Sequence, residues 1–109
     1  MFIARFDPLA PGATGPTGAA LQRSAVDMAR FVDEHGCASL VVSEHHASDD
    51  GYLPAPFQLA AAMAAATRVT PIVLALTILP LHDPVRLAED IITLDHLSGG
   101  RLTMGIGLG

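Results

Sequence analysis

The sequence predicts an α/β fold of parallel βα units, and three observations carry that expectation. Short β-prone runs alternate with helical stretches in the order β-α-β-α-β-α-β. The strands begin roughly every 30 to 40 residues, the spacing of crossovers onto a parallel sheet. The third run, Ile72 to Leu79, is apolar without clear alternation, as expected of a strand covered on both faces. Order alone leaves a doubly wound sheet and part of a (β/α)8 barrel both open, because each repeats the same unit.

Each element has its own local reason. Phe2 to Phe6 is a run of strand formers, and the Pro- and Gly-rich stretch from Asp7 to Gly18 reads as a loop. From about Gly18 to His35 a helical stripe runs through Leu21, Ala25, Met28 and Val32, and Gly36 stands where a left-handed stop belongs. Ser39 to Ser43 reads as a buried strand, followed by the polar loop Glu44 to Gly51, where chemistry is expected. Pro54 and Pro56 precede an Ala-rich helix from Phe57 to Arg68, whose small side chains let a neighbour approach closely. After the third strand, Asp83 is an N-cap with Pro84 in the first helical position. Val85, Ala88, Ile91, Ile92 and Asp95 carry that helix to its stop at Ser98-Gly99-Gly100, and Arg101 to Gly107 is the fourth strand.

Composition narrows the function classes. The 109 residues are 50% apolar and 16% charged, a single globular domain with a core to bury. A net charge of -5 leaves no basic stripe for a phosphate backbone, so nucleic acid is not expected as a partner. The lone cysteine, Cys37, excludes a disulfide framework and paired-cysteine zinc sites, and reads as a small buried residue. No apolar run reaches the roughly 20 residues that span a bilayer, and no targeting segment is visible. The expected location is cytoplasmic, with no membrane contact.

Three segments together resemble the bacterial luciferase-like family of flavin-dependent monooxygenases and their deazaflavin-dependent relatives. They are Ser43-Glu44-His45-His46, the stretch Leu79-Pro80-Leu81-His82-Asp83-Pro84-Val85-Arg86-Leu87-Ala88-Glu89-Asp90, and the run from Leu94 through Ser98-Gly99-Gly100-Arg101 to Gly109. The resemblance runs from the first strand to the last residue and implies a TIM (β/α)8 barrel, of which residues 1–109 would be the N-terminal half, β1 to β4. A complete barrel needs about 250 residues. The implied activity is oxidation of a small organic substrate with reduced FMN and oxygen. The alternatives are hydride transfer with the deazaflavin coenzyme F420, or a non-catalytic flavin-binding half-barrel. The implied partners are the flavin, the substrate, a second copy of the chain and a flavin reductase.

The site residues follow from the same places. Glu44-His45-His46 lies just past the carboxyl end of a parallel strand, where barrel enzymes put their chemistry, and an imidazole there can act as acid or base near neutral pH. Adjacent side chains leave an extended backbone in opposite directions, so at most one of the two histidines faces the barrel mouth. By resemblance that one is His45, near the flavin's reactive edge. The resemblance also lays the flavin ring against Ala75, Leu76 and Thr77, across a non-proline cis bond between Ala75 and Leu76. A metal reading of Glu44, His45, His46 and His82 lacks helical ligand spacing, so no metal is expected.

The glycines of Gly105-Ile106-Gly107-Leu108-Gly109 read as leaving room for cofactor; a dinucleotide fingerprint would need a following helix. Some flavin-binding relatives carry arginine where this chain has Leu108, which removes one cationic contact. Asp95 and Arg101 are expected to fasten the turn between them, and Arg86, Glu89 and Asp90 to pair on the helix surface. Val41, Ile72, Leu74 and Leu76 are expected to fill the barrel interior, and strands one and four to be open edges that favour association.

Overall fold

The computed structural model of the chain describes residues 1–8, 15–49 and 51–109. Its elements are β1 (Ile3–Phe6), α1 (Gly15–Glu34), β2 (Ser39–Val42), α2 (Pro56–Ala66), β3 (Ile72–Ile78), a 3-10 turn (Leu79–Leu81), α3 (Pro84–Ser98) and β4 (Leu102–Gly107). Of the Pro/Gly-rich loop expected before α1, the part from Leu9 to Thr14 lies outside the described residues. Gly15 to Gly18, expected in that loop, instead form the first turn of α1, with Pro16 near its start, where a missing N–H costs nothing.

All four strands are parallel and stand in the order β1-β2-β3-β4. A doubly wound sheet reverses its strand order, so this consecutive order selects the barrel-type arrangement. One face of the sheet carries the core. Phe6, Leu40, Val42, Ile72 and Leu74 pack against Ala25 and Ala29 of α1, Leu59, Ala60 and Met63 of α2, and Leu87 and Leu94 of α3. Ala60 and Ala29 are fully buried, so alanine is what lets these helices lie close to their neighbours.

The register corrects the expected interior. Leu40 pairs with Ile72, Val41 with Val73 and Val42 with Leu74. Paired residues share a face, so Ile72 and Leu74 join Leu40 under the helices, while Val41 and Val73 take the open face. Leu76 does reach the open face, because the register slips between Leu74 and Thr77. Leu74 pairs with Met104 but Thr77 with Ile106, which inserts one extra residue in β3. That bulge sends Leu76 outward, half exposed, and returns Thr77 to the buried face.

Two helix stripes also differ from expectation, by one position in α1 and by two in α3. Met28 is exposed and Ala29 buried in α1; Val85 and Ile92 are exposed while Leu87 and Leu94 are buried in α3. In α1 the smaller residue takes the sheet-facing side, and in α3 the leucines take it in place of the β-branched Val85 and Ile92. The expected caps are present. Asp83 accepts from the N–H groups of Val85 and Arg86, Gly36 has φ +75°, and Gly99 ends α3 with φ +69°. Cys37 is buried, as read from the sequence.

Candidate active site at the carboxyl end of the sheet

Three chain segments meet past the carboxyl ends of β2 and β3, and a single carboxylate joins them. The alternation of β2 continues beyond its last paired residue: Leu40 and Val42 face inward, and so does Glu44, whose side chain is 0% exposed. A buried carboxylate must be paired. Glu44 Oε2 accepts from the Ile78 N–H at 2.8 Å, at the end of β3. Its Oε1 lies 2.7 Å from His46 Nε2 and 2.9 Å from His82 Nε2. Burial pushes the Glu44 carboxyl upward, but the hydrogen bonds from His46, Ile78 and His82 outweigh it and hold the group below the usual glutamate range. Glu44 is therefore an anion at neutral pH.

The two adjacent histidines diverge, as the alternation argument requires. His46 turns in to Glu44, whereas His45 turns out and stacks on Tyr52, with ring centroids 3.9 Å apart and planes at 16°. The His45 N–H donates to the Leu53 carbonyl, which folds the loop back on itself. The Tyr52 hydroxyl donates to Asp7, and Asp7 pairs with Arg5 at 3.0 Å. Arg5 also donates to Ser43 Oγ at 3.1 Å. His45 thus stands on a platform assembled from the ends of β1 and β2. The ring of His82 is met edge-on by Phe57 of α2.

Beside Ile78 lies an apolar ledge. The peptide bond between Ala75 and Leu76 is cis, where the resemblance placed it. Leu76 is 53% exposed on the open face. The glycines of β4 lie against this residue. A Cβ on Gly105 would stand 2.9 Å from Leu76 Cδ2, and one on Gly107 2.8 Å from Leu76 Cδ1. Thr77 faces the other way: its hydroxyl is fully buried, with no hydrogen-bond partner among the described residues. The ledge suits a flat apolar ring, because a half-exposed leucine flanked by two glycines offers surface without obstruction. Leu108 is exposed and brings no charge.

The remaining sequence candidates fall elsewhere. Arg101 fastens the amino-terminal face, but its partners are carbonyls and Thr67 rather than Asp95. Asp95 contributes its backbone carbonyl, which accepts from the Gly100 N–H. Arg86 and Asp90 pair at 3.1 Å along α3. No group of metal-binding side chains exists among the described residues, and no helix there is long and apolar enough to cross a membrane. A groove of about 490 Å3 lies between α1 and α2 and shares no lining residue with the histidine cluster. Sequence reading missed Glu44 as the hub and His82 as its second partner. The signal was present in the parity of Leu40, Val42 and Glu44.

Residues 1–109 match the luciferase-like monooxygenases over their whole length. The chain belongs to that family. It is 36% identical over 108 residues to the 4-hydroxyprotoasukamycin monooxygenase of Streptomyces nodosus subsp. asukaensis, a match covering 99% of this chain and 29% of that protein. It is also 36% identical, over 81 residues, to the alkanal monooxygenase alpha chain of Photorhabdus laumondii subsp. laumondii, covering 74% of this chain and 23% of the relative. The oxygenating constituent of 3,6-diketocamphane monooxygenase from Pseudomonas putida, a type II Baeyer-Villiger monooxygenase solved in complex with FMN, superposes with a TM-score of 0.88. That match has 28% identity and covers 99% of this chain and 29% of the other. The chain thus spans less than a third of the length of these relatives. Its four parallel strands with alternating helices match part of their TIM barrels.

Proposed function

We propose that this chain carries the flavin-facing half of a monooxygenase site that oxidises a small organic substrate with reduced FMN and dioxygen. The observation that carries the reading is the adjacency of an exposed apolar ledge at Leu76 to the His45-Glu44-His46-His82 cluster, joined through Ile78 at the carboxyl end of a parallel sheet. In a barrel this end is where chemistry sits. Ala75 and Leu76 would lie against the flavin ring, with Thr77 contributing backbone only, since its hydroxyl is buried.

Reduced FMN, when bound, supplies the two electrons that a monooxygenation consumes. One oxygen atom goes to the substrate and the other leaves as water, so two protons must reach the departing oxygen, of which the neutral reduced flavin would carry both and its anion one. His45 is the residue assigned to that proton traffic: its ring is exposed, oriented by Tyr52 and reachable from the open face. A flavin reductase is the partner that would supply reduced FMN, and a second copy of the chain is the expected oligomeric partner.

Thermal unfolding with added cofactor tests the reading. Reduced FMN at a hundredfold excess over its Kd should add about 2.7 kcal/mol of apparent stability, and oxidised nicotinamide dinucleotide none. Protection by coenzyme F420 alone would replace oxygen chemistry with hydride transfer, and protection by neither would leave a non-catalytic module. In protein that turns over, His45→Ala should lower turnover about 100-fold or more with flavin affinity kept, and His46→Ala should lower it less. The reverse ranking would move the acid/base role to His46.

A further inference from the structure

Glu44 is the best-buried anion among the described residues, and its partners are chemically unequal. Oε2 is occupied by a backbone N–H, which has no alternative state. Oε1 faces two imidazole nitrogens, His46 Nε2 and His82 Nε2, at 2.7 and 2.9 Å. An ionised carboxylate only accepts. Both of those nitrogens must therefore carry a proton, and a neutral imidazole that is protonated at Nε2 is bare at Nδ1.

We infer that Glu44 is a positioning residue that locks His46 and His82 together as Nε2–H tautomers, so that two Nδ1 lone pairs stand ready as bases beside His45. The inference rests on the functional reading above only for its use in turnover; the tautomers themselves follow from the geometry. The arrangement has the logic of a base oriented by a carboxylate, here with one carboxylate serving two bases from two different loops. Each Nδ1 can take one proton from a group bound at the site, and the imidazolium so formed keeps its hydrogen bond to Glu44 as an ion pair. His46 and His82 are partly exposed, 36% and 24% by side chain, so that proton has a route to them. The edge of Phe57 limits the ring of His82 on its other side.

Nitrogen NMR of the histidine rings tests this on the 109-residue chain itself. At about pH 8.5, where imidazoles are neutral, long-range proton–nitrogen correlations distinguish the two tautomers, and His46→Gln and His82→Gln assign the signals. Both rings should show the Nε2–H pattern in the wild type. In Glu44→Gln the amide cannot satisfy all three partners: with its oxygen on the Ile78 N–H, its NH2 group faces both Nε2 atoms, which must then accept, so at least one of the two rings should lose that pattern. In protein that turns over, Glu44→Gln should lower kcat about tenfold or more while KM changes less than about threefold, and Glu44→Asp should restore part of the loss. An Nδ1–H pattern for either ring in the wild type, or unchanged tautomers in Glu44→Gln, overturns the inference. The wild-type spectrum decides even if the variant fails to fold. Correct tautomers in a protein that binds no flavin would defeat the functional reading and leave this one standing.

Discussion

The two ends of the sheet solve the same problem with charged side chains and reach different results. At the amino-terminal end, Asp33 at the end of α1 accepts from the N–H groups of Arg68, Val69 and Thr70 and from the Thr70 hydroxyl. Arg101 donates there to the carbonyls of Ala64, Thr67, Thr70 and Ser98 and to Thr67 Oγ. At the carboxyl end, Glu44 also ties a loop to a strand end, but two of its three partners are imidazoles. Backbone amides and carbonyls do not titrate near neutral pH. The amino-terminal clamps can only hold the fold, whereas the carboxyl-end clamp holds groups that can move protons.

The largest stability loss should therefore come from the end without chemistry. Arg101 satisfies carbonyls at the carboxyl end of α2 that have no partner within the helix, and its charge opposes the helix dipole there. Arg101→Ala should cost about 3 kcal/mol in denaturant unfolding, since it leaves several part-buried acceptors unpaired at once. Arg101→Lys should recover less than half, because an ammonium cannot reproduce the planar fork. A loss below about 1 kcal/mol would mean that the clamp is incidental and would erase the contrast between the two ends.

Asp33 comes next, at about 2 kcal/mol for Asp33→Asn. Burial pushes its carboxyl upward, yet the Thr70 hydroxyl and the three backbone N–H groups outweigh this and bring it down to about 2. The sign follows: a depressed pKa adds stability that is fully present above the ordinary aspartate value and is lost as pH falls through the folded one. The stability gap between wild type and Asp33→Asn should close as pH falls from about 4 to about 2. A gap that stays constant through that window would show that the hydrogen bonds, and not the charge, carry the effect.

Element identity was legible because periodicity and punctuation are local. Gly36, Asp83-Pro84 and Gly99 each mark a boundary through their own backbone or capping chemistry, and the structure has all of them. Facing was less legible. Met28 and Ala29 both fit a helical stripe, and only the distance to the sheet chooses the alanine. Ile72 and Leu74 look like barrel interior until the register with Leu40 and Val42 is known, and the extra residue between Leu74 and Thr77 has no local signature. His45 was singled out for the company it keeps in sequence. Glu44 and His82 stand 38 residues apart and share an interaction that only the pairing of β2 with β3 creates.

The β4 glycines give the smallest effects and the sharpest test of how the carboxyl end is built. Neither Gly105 nor Gly107 has a positive φ, so alanine is allowed by the backbone and only space opposes it. At Gly107 the new Cβ would meet Leu76 Cδ1 at 2.8 Å, the far end of a half-exposed side chain that can swing away. At Gly105 it would also stand 3.2 Å from the Leu74 carbonyl oxygen, which the strand holds in place. Gly105→Ala should therefore cost about 2 kcal/mol and Gly107→Ala about 1 kcal/mol, within the range for overpacking. Adding Leu76→Ala should relieve most of the Gly107→Ala cost and less of the Gly105→Ala cost, a coupling that a double-mutant cycle reads directly. Gly107→Ala should also displace Leu76 and so weaken protection by reduced FMN, while leaving the tautomers of His46 and His82 as they are. Equal relief at both positions would show that Leu76 alone sets the crowding and that the Leu74 carbonyl yields as easily as a methyl group.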